Sequence, residues 1–298
     1  PELCITGYTC QDLFLQRRLL DSAWETLMRI AADTADVDAL IFLGVPVRNK
    51  GKLYNAAAVL NRGEILGLVP KSYLPNYGEF YEQRHFVSGL GCLEFMSING
   101  KKIPFGTNLL FVCEELQELI VAAEICEDLW VNMPPSVIHA QAGANLIVNL
   151  SASNEMVGKD SYRRSLVSGQ SARLVCGYVY ANAGEGESTQ DLVFGGQNMI
   201  AENGSILAEG ERFKNGIVYS EIDVQRLNDE RKRLTTWQSC EDSDHLRIPF
   251  HLKMEETKLT RQYSRYPFVP SQKSERDLRC DEILNIQAMG LKKRLDHI

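Results

Sequence analysis

The sequence predicts an α/β protein built on a mixed sheet with helices on at least one face. Three observations carry this. Short, nearly unbroken apolar runs at residues 39–43, 119–125 and 146–150 have the pattern of strands buried on both faces. Stretches with helical spacing, at residues 13–31, 136–142 and 159–176, alternate with those runs. Two turn signals, Asn61-Arg62-Gly63 and Asn203-Gly204, join apolar segments as hairpin turns do. Helix, strand and hairpin in that order argue for a mixed sheet.

The chain opens on a loop, Pro1-Glu2-Leu3-Cys4-Ile5-Thr6-Gly7-Tyr8, that follows an inferred strand before residue 1. Asp12 is placed to cap a helix whose Leu13, Leu20, Trp24, Leu27 and Ala31 share one face. Residues 39–43 form a short strand that Gly44 and Pro46 should end. Residues 53–60 and 65–69 make the first hairpin. Residues 72–105 read as one long, aromatic and charged loop, a length that in a compact domain points to function. Strands at 109–112 and 119–125, a helix at 136–142 and a strand at 146–150 follow, and then the polar loop 151–155. A helix over 159–176, a strand over 178–182, the second hairpin and a strand over 217–222 complete the core. From about residue 228 the composition turns basic, acidic and proline-rich (Arg231-Lys232-Arg233, Pro249, Pro267, Pro270), as in an arm or linker, and helical spacing returns over 280–298. The expected division is therefore 1–227 as a folded domain and 228–298 as arm and helical connector.

Composition excludes several function classes. With 44% apolar and 24% charged residues the chain is globular, and a net charge of −7 argues against a nucleic-acid surface. No apolar run approaches the ~20 residues of a membrane span, and no signal-like N-terminus is present. The eight cysteines form no C-x-x-C pair and no zinc-spaced cluster, so the reading is free thiols in a reducing, cytoplasmic setting with no metal. The first residue is not methionine, and the sequence reads as a fragment.

Cys126 is the centre of the argument. It ends the buried run 119–125 and precedes Glu127 and Asp128, and the C-terminal ends of strands are where open α/β sheets place their sites. The two acids suggest a polar, partly open spot. A free cysteine can equally be a small buried hydrophobe. A thiol that attacks an amide needs a base within reach and a cation nearby. A desolvated carboxylate can be that base, and a lysine can steady the thiolate and the oxyanion. Glu2 and Lys71, each at the end of a strand, supply both without a histidine; the five histidines sit in no motif. Read alone, Lys71 is also an ordinary solvated boundary residue and Glu2 a frayed terminus.

The segments Pro1 to Tyr8, Pro70-Lys71-Ser72-Tyr73-Leu74-Pro75 and Glu124-Ile125-Cys126-Glu127-Asp128 resemble, in order, the three catalytic blocks of the nitrilase superfamily. The stretches from Lys71 to Glu82 and from Tyr180 to Thr189 look like the glutaminase domain of the glutamine-dependent NAD+ synthetase family, and Asn285 to Leu295 resembles the lead into its synthetase domain. The resemblance implies a nitrilase-like α-β-β-α four-layer sandwich. It implies Cys126 as nucleophile, Glu2 as general base and acid, Lys71 as partner of the tetrahedral intermediate and Glu79 as the second carboxylate. It implies Tyr77, Ser153 and Lys159 as contacts to L-glutamine, with Glu127 and Phe80 lining the pocket. Lys159 stands where many relatives carry arginine, and lysine keeps the charge but lacks the planar fork.

The same resemblance implies no cofactor for the glutaminase reaction, ATP and Mg2+ for a synthetase domain of the same polypeptide, and a homo-oligomer. The family's first strand, helix and second strand, and its ATP-binding block, fall outside residues 1–298, so the chain is expected to make ammonia and not NAD+. Two other readings stand beside this one: a free-standing amidase with the same triad, against which the helical connector argues, and a non-catalytic scaffold, against which the intact triad argues.

Overall fold

The computed structural model describes the chain apart from residues 189–190, 241–243, 257, 259, 264, 267 and 298; Thr189, Pro267 and Ile298 of the sequence reading lie outside the described residues. Within Pro1–Glu256, strands β1 (Leu40–Asn49), β2 (Lys52–Asn61), β3 (Glu64–Pro70), β4 (Leu93–Ile98) and β5 (Lys101–Gly106) make one sheet in the order β1-β2-β3-β5-β4. Strands β6 (Leu109–Cys113), β7 (Ile120–Ile125), β8 (Leu146–Ser151), β9 (Gly177–Asn182), β10 (Met199–Glu202), β11 (Ser205–Glu209) and β12 (Leu246–Phe250) make a second, in the order β11-β10-β9-β8-β7-β6-β12.

Alternation of side chains across each strand gives both sheets two apolar faces. Ala57, Val59 and Val69 of the first sheet meet Phe111, Val121, Ala123 and Ile125 of the second in the central layer. The outer face of the first sheet packs Ala56, Ala58 and Leu68 on Ala23, Leu27 and Ala31 of α1 (Arg17–Asp33). On the far side, Ala122, Ile147 and Tyr178 pack on Ala140 of α2 (Pro135–Gln141) and on Val167 and Leu174 of α3 (Lys159–Leu174). The order of layers is helix, sheet, sheet, helix, the α-β-β-α sandwich that was expected.

Several expectations change. Asp12 does not cap α1: residues Tyr8–Leu15 are 3-10 turns, Gln16 stands at the N-cap, and the Asp12 carboxylate accepts from Arg84 and the His85 ring. β1 runs on through Gly44 and Pro46, because an edge strand paired only with β2 can tolerate a missing N–H. Gly44 has a separate reason to be glycine: a Cβ there would lie 2.2 Å from the Leu3 backbone nitrogen. The long loop contains the β4–β5 hairpin, turned at Asn99-Gly100, both with positive φ. This is an Asn-Gly turn signal that the aromatic content of the loop obscured. Residues 217–222 are not a strand: Ile217 and Tyr219 are exposed, and no ladder with that segment is found among the described residues.

The division at 227 also moves. Helix α4 (Val224–Arg233) buries Leu227 and Arg231, whose guanidinium donates to the carbonyls of Ala144, Leu174 and Val175, and β12 pairs in parallel with β6. The first compact unit therefore extends to Glu256. The second, Thr257–Ile298, carries α5 (Lys273–Leu295), which has no buried residue. No described helix is long and apolar enough to cross a membrane.

Candidate active site

The parallel run β7-β8-β9 brings three C-terminal strand ends to one edge, with Ile125 beside Leu150 and Ser151 beside Asn182. That edge holds the site. Cys126 leaves β7 with φ at 45°, a left-handed conformation that costs a non-glycine residue energy and recurs at functional positions. Two buried side chains hold it there. The Cys126 N–H donates to Asn149 Oδ1 at 3.1 Å, and Asn149 donates onward to the Tyr178 hydroxyl, which donates to the buried Glu124 carboxylate. Asp128 Oδ2 accepts from the Ile125 N–H at 2.9 Å, while Oδ1 accepts from Tyr73 at 2.8 Å and Ser72 at 3.2 Å. Asp128 thus ties the cysteine turn to the residues just after Lys71. It is buried and does not mark an open spot.

Lys71 is fully buried, which removes the solvated-boundary reading. Its Nζ donates to Glu2 Oε1 and to Glu82 Oε1, each at 2.6 Å. Burial alone works against the ammonium, but the two carboxylates outweigh it and hold its pKa well above the usual lysine value. Glu2 is buried as well. Its Oε1 also accepts from Asn55 Nδ2 at 2.6 Å, its Oε2 from the Ala152 N–H at 3.0 Å, and its own N–H donates to the Ser151 carbonyl. Burial pushes the Cys126 thiol up to about 12, with Glu2 adding to the rise and Lys71 and the Ser151 hydroxyl opposing it. Glu2 and Lys71 therefore both lie close enough to Cys126 to act on the charge of its sulfur.

The second carboxylate on Lys71 is Glu82, not Glu79. Glu82 is buried in the 3-10 turn Glu82–Arg84, accepts from Lys71 and Tyr8, and is raised to about 7, chiefly by burial. Glu79 accepts instead from Asn154 Nδ2 at 2.5 Å. The loop between the two residues turns back on itself, with Phe80 N–H on the Tyr77 carbonyl and Glu82 N–H on Pro75, so spacing in sequence did not identify which acid faces inward.

Of the residues expected to line the pocket, Tyr77 and Lys159 lie near enough to Cys126 to feel its charge. Tyr77 donates to Glu127 Oε1 at 2.7 Å, and burial with Glu127 raises its phenol. Lys159 donates to Asn154 Oδ1 and lies over the rings of Trp130 and Phe80, at 5.1 and 5.9 Å from their centroids. Desolvation and the nearby Arg163 charge lower its pKa, opposed by Cys126 and Glu79. Ser153 is buried; its N–H donates to Asn182 and its hydroxyl accepts from Arg163 Nη2. Phe80 packs edge-on to Tyr77 and against the cluster of Ala152, Ala183, Leu192 and Phe194.

Sequence reasoning missed Glu82, Asn55, Asn149, Asn154 and Arg163. Two of these carried a signal, because a lone asparagine inside an apolar strand, as in Tyr54-Asn55-Ala56 and Val148-Asn149-Leu150, must find a buried partner.

The chain is similar to proteins already known. Residues 1–232 match the family model described as carbon-nitrogen hydrolase. Glutamine-dependent NAD(+) synthetases of Mycobacterium tuberculosis and Aquifex aeolicus are 42% and 33% identical over 99% and 78% of the chain. The chain spans 45% and 37% of those proteins' own length. Among solved structures, a glutamine-dependent NAD(+) synthetase from Cytophaga hutchinsonii superimposes with a TM-score of 0.64 at 34% identity, covering 74% of this chain and 35% of that one. An amidase from the nitrilase superfamily, from Nesterenkonia, gives 0.56 at 23% identity over 78% of this chain and 80% of its own, a likeness of fold. On the family match, which spans the greater part of both sheets and every residue of the buried cluster, the chain belongs to the carbon-nitrogen hydrolase family.

Proposed function

We propose that the chain hydrolyses the side-chain amide of L-glutamine, releasing ammonia by covalent catalysis on Cys126. The observation that carries this reading is the Glu2–Lys71–Glu82 array, two carboxylates on one buried ammonium, set against a protonated thiol. Glu2 takes the thiol proton as the sulfur attacks the amide carbon. The carbonyl oxygen becomes an oxyanion steadied by the Lys71 ammonium. The protonated Glu2 gives its proton to the amide nitrogen, the C–N bond breaks, and ammonia leaves a glutamyl thioester. Glu2 then takes a proton from water, whose oxygen attacks the thioester; glutamate departs, and the proton returns to the thiolate. Lys159 faces the substrate carboxylate, and Glu127 and Glu79 face its ammonium.

The names of the relatives support a further step: the ammonia would serve a synthetase portion of the same polypeptide that makes NAD+, for which the family resemblance implies ATP and Mg2+. Exposed Leu278, Ile283, Ile286 and Leu291 on α5 support contact with such a partner or with a second copy in a homo-oligomer. That all eight cysteines are free supports a reducing, cytoplasmic compartment.

The test is a γ-electrophilic glutamine analogue followed by peptide mapping. Label on Cys126, with loss of both label and glutamine-dependent ammonia release in Cys126→Ala, is the expected result. Label on Cys92 or Cys240 with Cys126 untouched sinks the reading.

A further inference from the structure

We infer that Asn55 is a positioning residue for Glu2, directing the proton to Oε2 and setting the pH at which the base becomes available; this rests on the glutaminase reading for its substrate but not for its geometry. Asn55 sits on β2 opposite Pro46, in an otherwise apolar run, and is buried. Its Nδ2 donates to Glu2 Oε1 at 2.6 Å, and its own carbonyl accepts the Lys71 N–H at 2.8 Å. It therefore touches the base through its side chain and the cation through its main chain.

The other end of the same amide has no partner among the described residues: Asn55 Oδ1 is buried and unbonded. An orphaned buried carbonyl works against folding, because it gives up its hydrogen bond to water and gains none in return. Turning the amide over would not help, because Oδ1 would then face the Glu2 carboxylate. A leucine would suit the surrounding alanines and valine better, so packing does not explain the asparagine. Its donated hydrogen bond does.

The consequence follows from counting lone pairs. A carboxylate has about four acceptor sites, two on each oxygen. Among the described residues, Oε1 of Glu2 receives Lys71 and Asn55, and Oε2 receives only the Ala152 N–H. The remaining site is on Oε2, so that is where the thiol proton goes. Without Asn55 the proton has a second place to sit, on the oxygen that holds Lys71. A lost donor also makes the charged carboxylate less favourable. The titratable groups that face Glu2 are Lys71 at the end of β3, Glu82 on its 3-10 turn, Cys126 after β7 and Tyr8, and none of them changes in the test.

The experiment uses two variants close to asparagine in size, Asn55→Leu and Asn55→Asp, in the intact protein. The pH dependence of kcat/KM for glutamine is measured per active site titrated with the γ-electrophilic analogue. The pH dependence of Cys126 alkylation by iodoacetamide, which needs no glutamine, is measured alongside it. The acid limb is expected to move up by about one pH unit in Asn55→Leu, the share of one donor among three, and further in Asn55→Asp, where a like charge is added. Acid limbs that coincide with wild type in both variants, whatever the change in melting temperature, overturn the inference. Wild type that releases no ammonia from glutamine refutes the function instead, and the alkylation limb still reads Asn55. If Asn55→Leu does not fold, the isosteric Asn55→Asp carries the result.

Discussion

The floor and the rim of the site are built from similar residue types but in different surroundings. On the floor, Glu2, Lys71 and Glu82 are buried and every charge has a charged neighbour. On the rim, Tyr77 is 61% exposed, and its bond to Glu127 reaches across a surface. Coulomb interactions and hydrogen bonds strengthen as water is excluded. Equal substitutions should therefore have very unequal effects, with the floor failing in chemistry and stability together and the rim failing in binding.

The largest effect is expected at Lys71. Lys71→Met leaves two buried carboxylates without their cation, which should cost about 3–5 kcal/mol of stability, and removes an oxyanion partner worth about 10²–10³ in kcat. The melting temperature should partly recover as the pH is lowered. Glu82 is already raised to about 7 in the intact array, and a raised carboxyl pKa stabilises the fold below its ordinary value and loses that contribution as pH rises through 7. Thermal melts of wild type and variant between pH 5 and 8 check this. A Lys71→Met protein as stable and active as wild type would erase the distinction between floor and rim.

Asp128 comes next, since it anchors both sides of the floor without facing substrate. Asp128→Asn keeps one acceptor oxygen but turns an NH2 toward a backbone N–H, either that of Ile125 or those of Ser72 and Tyr73. A loss of about 1–3 kcal/mol in stability is expected from the unmatched donors. kcat should fall with KM little changed, and steady-state kinetics with denaturant titration will show both.

On the rim, Lys159→Gln should raise the KM for glutamine by about tenfold while moving kcat little, the signature of an interaction made equally in ground and transition states. Lys159→Arg sharpens the comparison: the Asn154 crosspiece that holds the lysine should accept the guanidinium, giving a KM near wild type. The smallest effect is expected for Tyr77→Phe. It removes one exposed hydrogen bond, worth about 0.5–1.5 kcal/mol, so KM should shift a few-fold and melting hardly at all.

How much of this was legible beforehand differs with the kind of feature. The buried strands at 119–125 and 146–150, the helices at 136–142 and 159–176 and the Asn203-Gly204 turn were legible because each is fixed by local periodicity or turn chemistry. Cys126 and Lys71 were legible as residues that follow buried strands, and the family resemblance joined Glu2 to them and implied a role for each.

The tertiary structure alone decided which acid pairs with Lys71. Glu79 and Glu82 lie three residues apart in a loop whose path is set by contacts with Tyr8, Asn154 and the strand ends, none of them near in sequence. It decided as well that residues up to Glu256 belong to the first unit, because β12 gains its stability from a ladder with β6, more than a hundred residues earlier. And it decided that Lys71 and Asp128 are buried. Burial is a property of what the rest of the chain places around a residue, and a single sequence carries no local mark of it for a charged side chain whose partners arrive from distant strands.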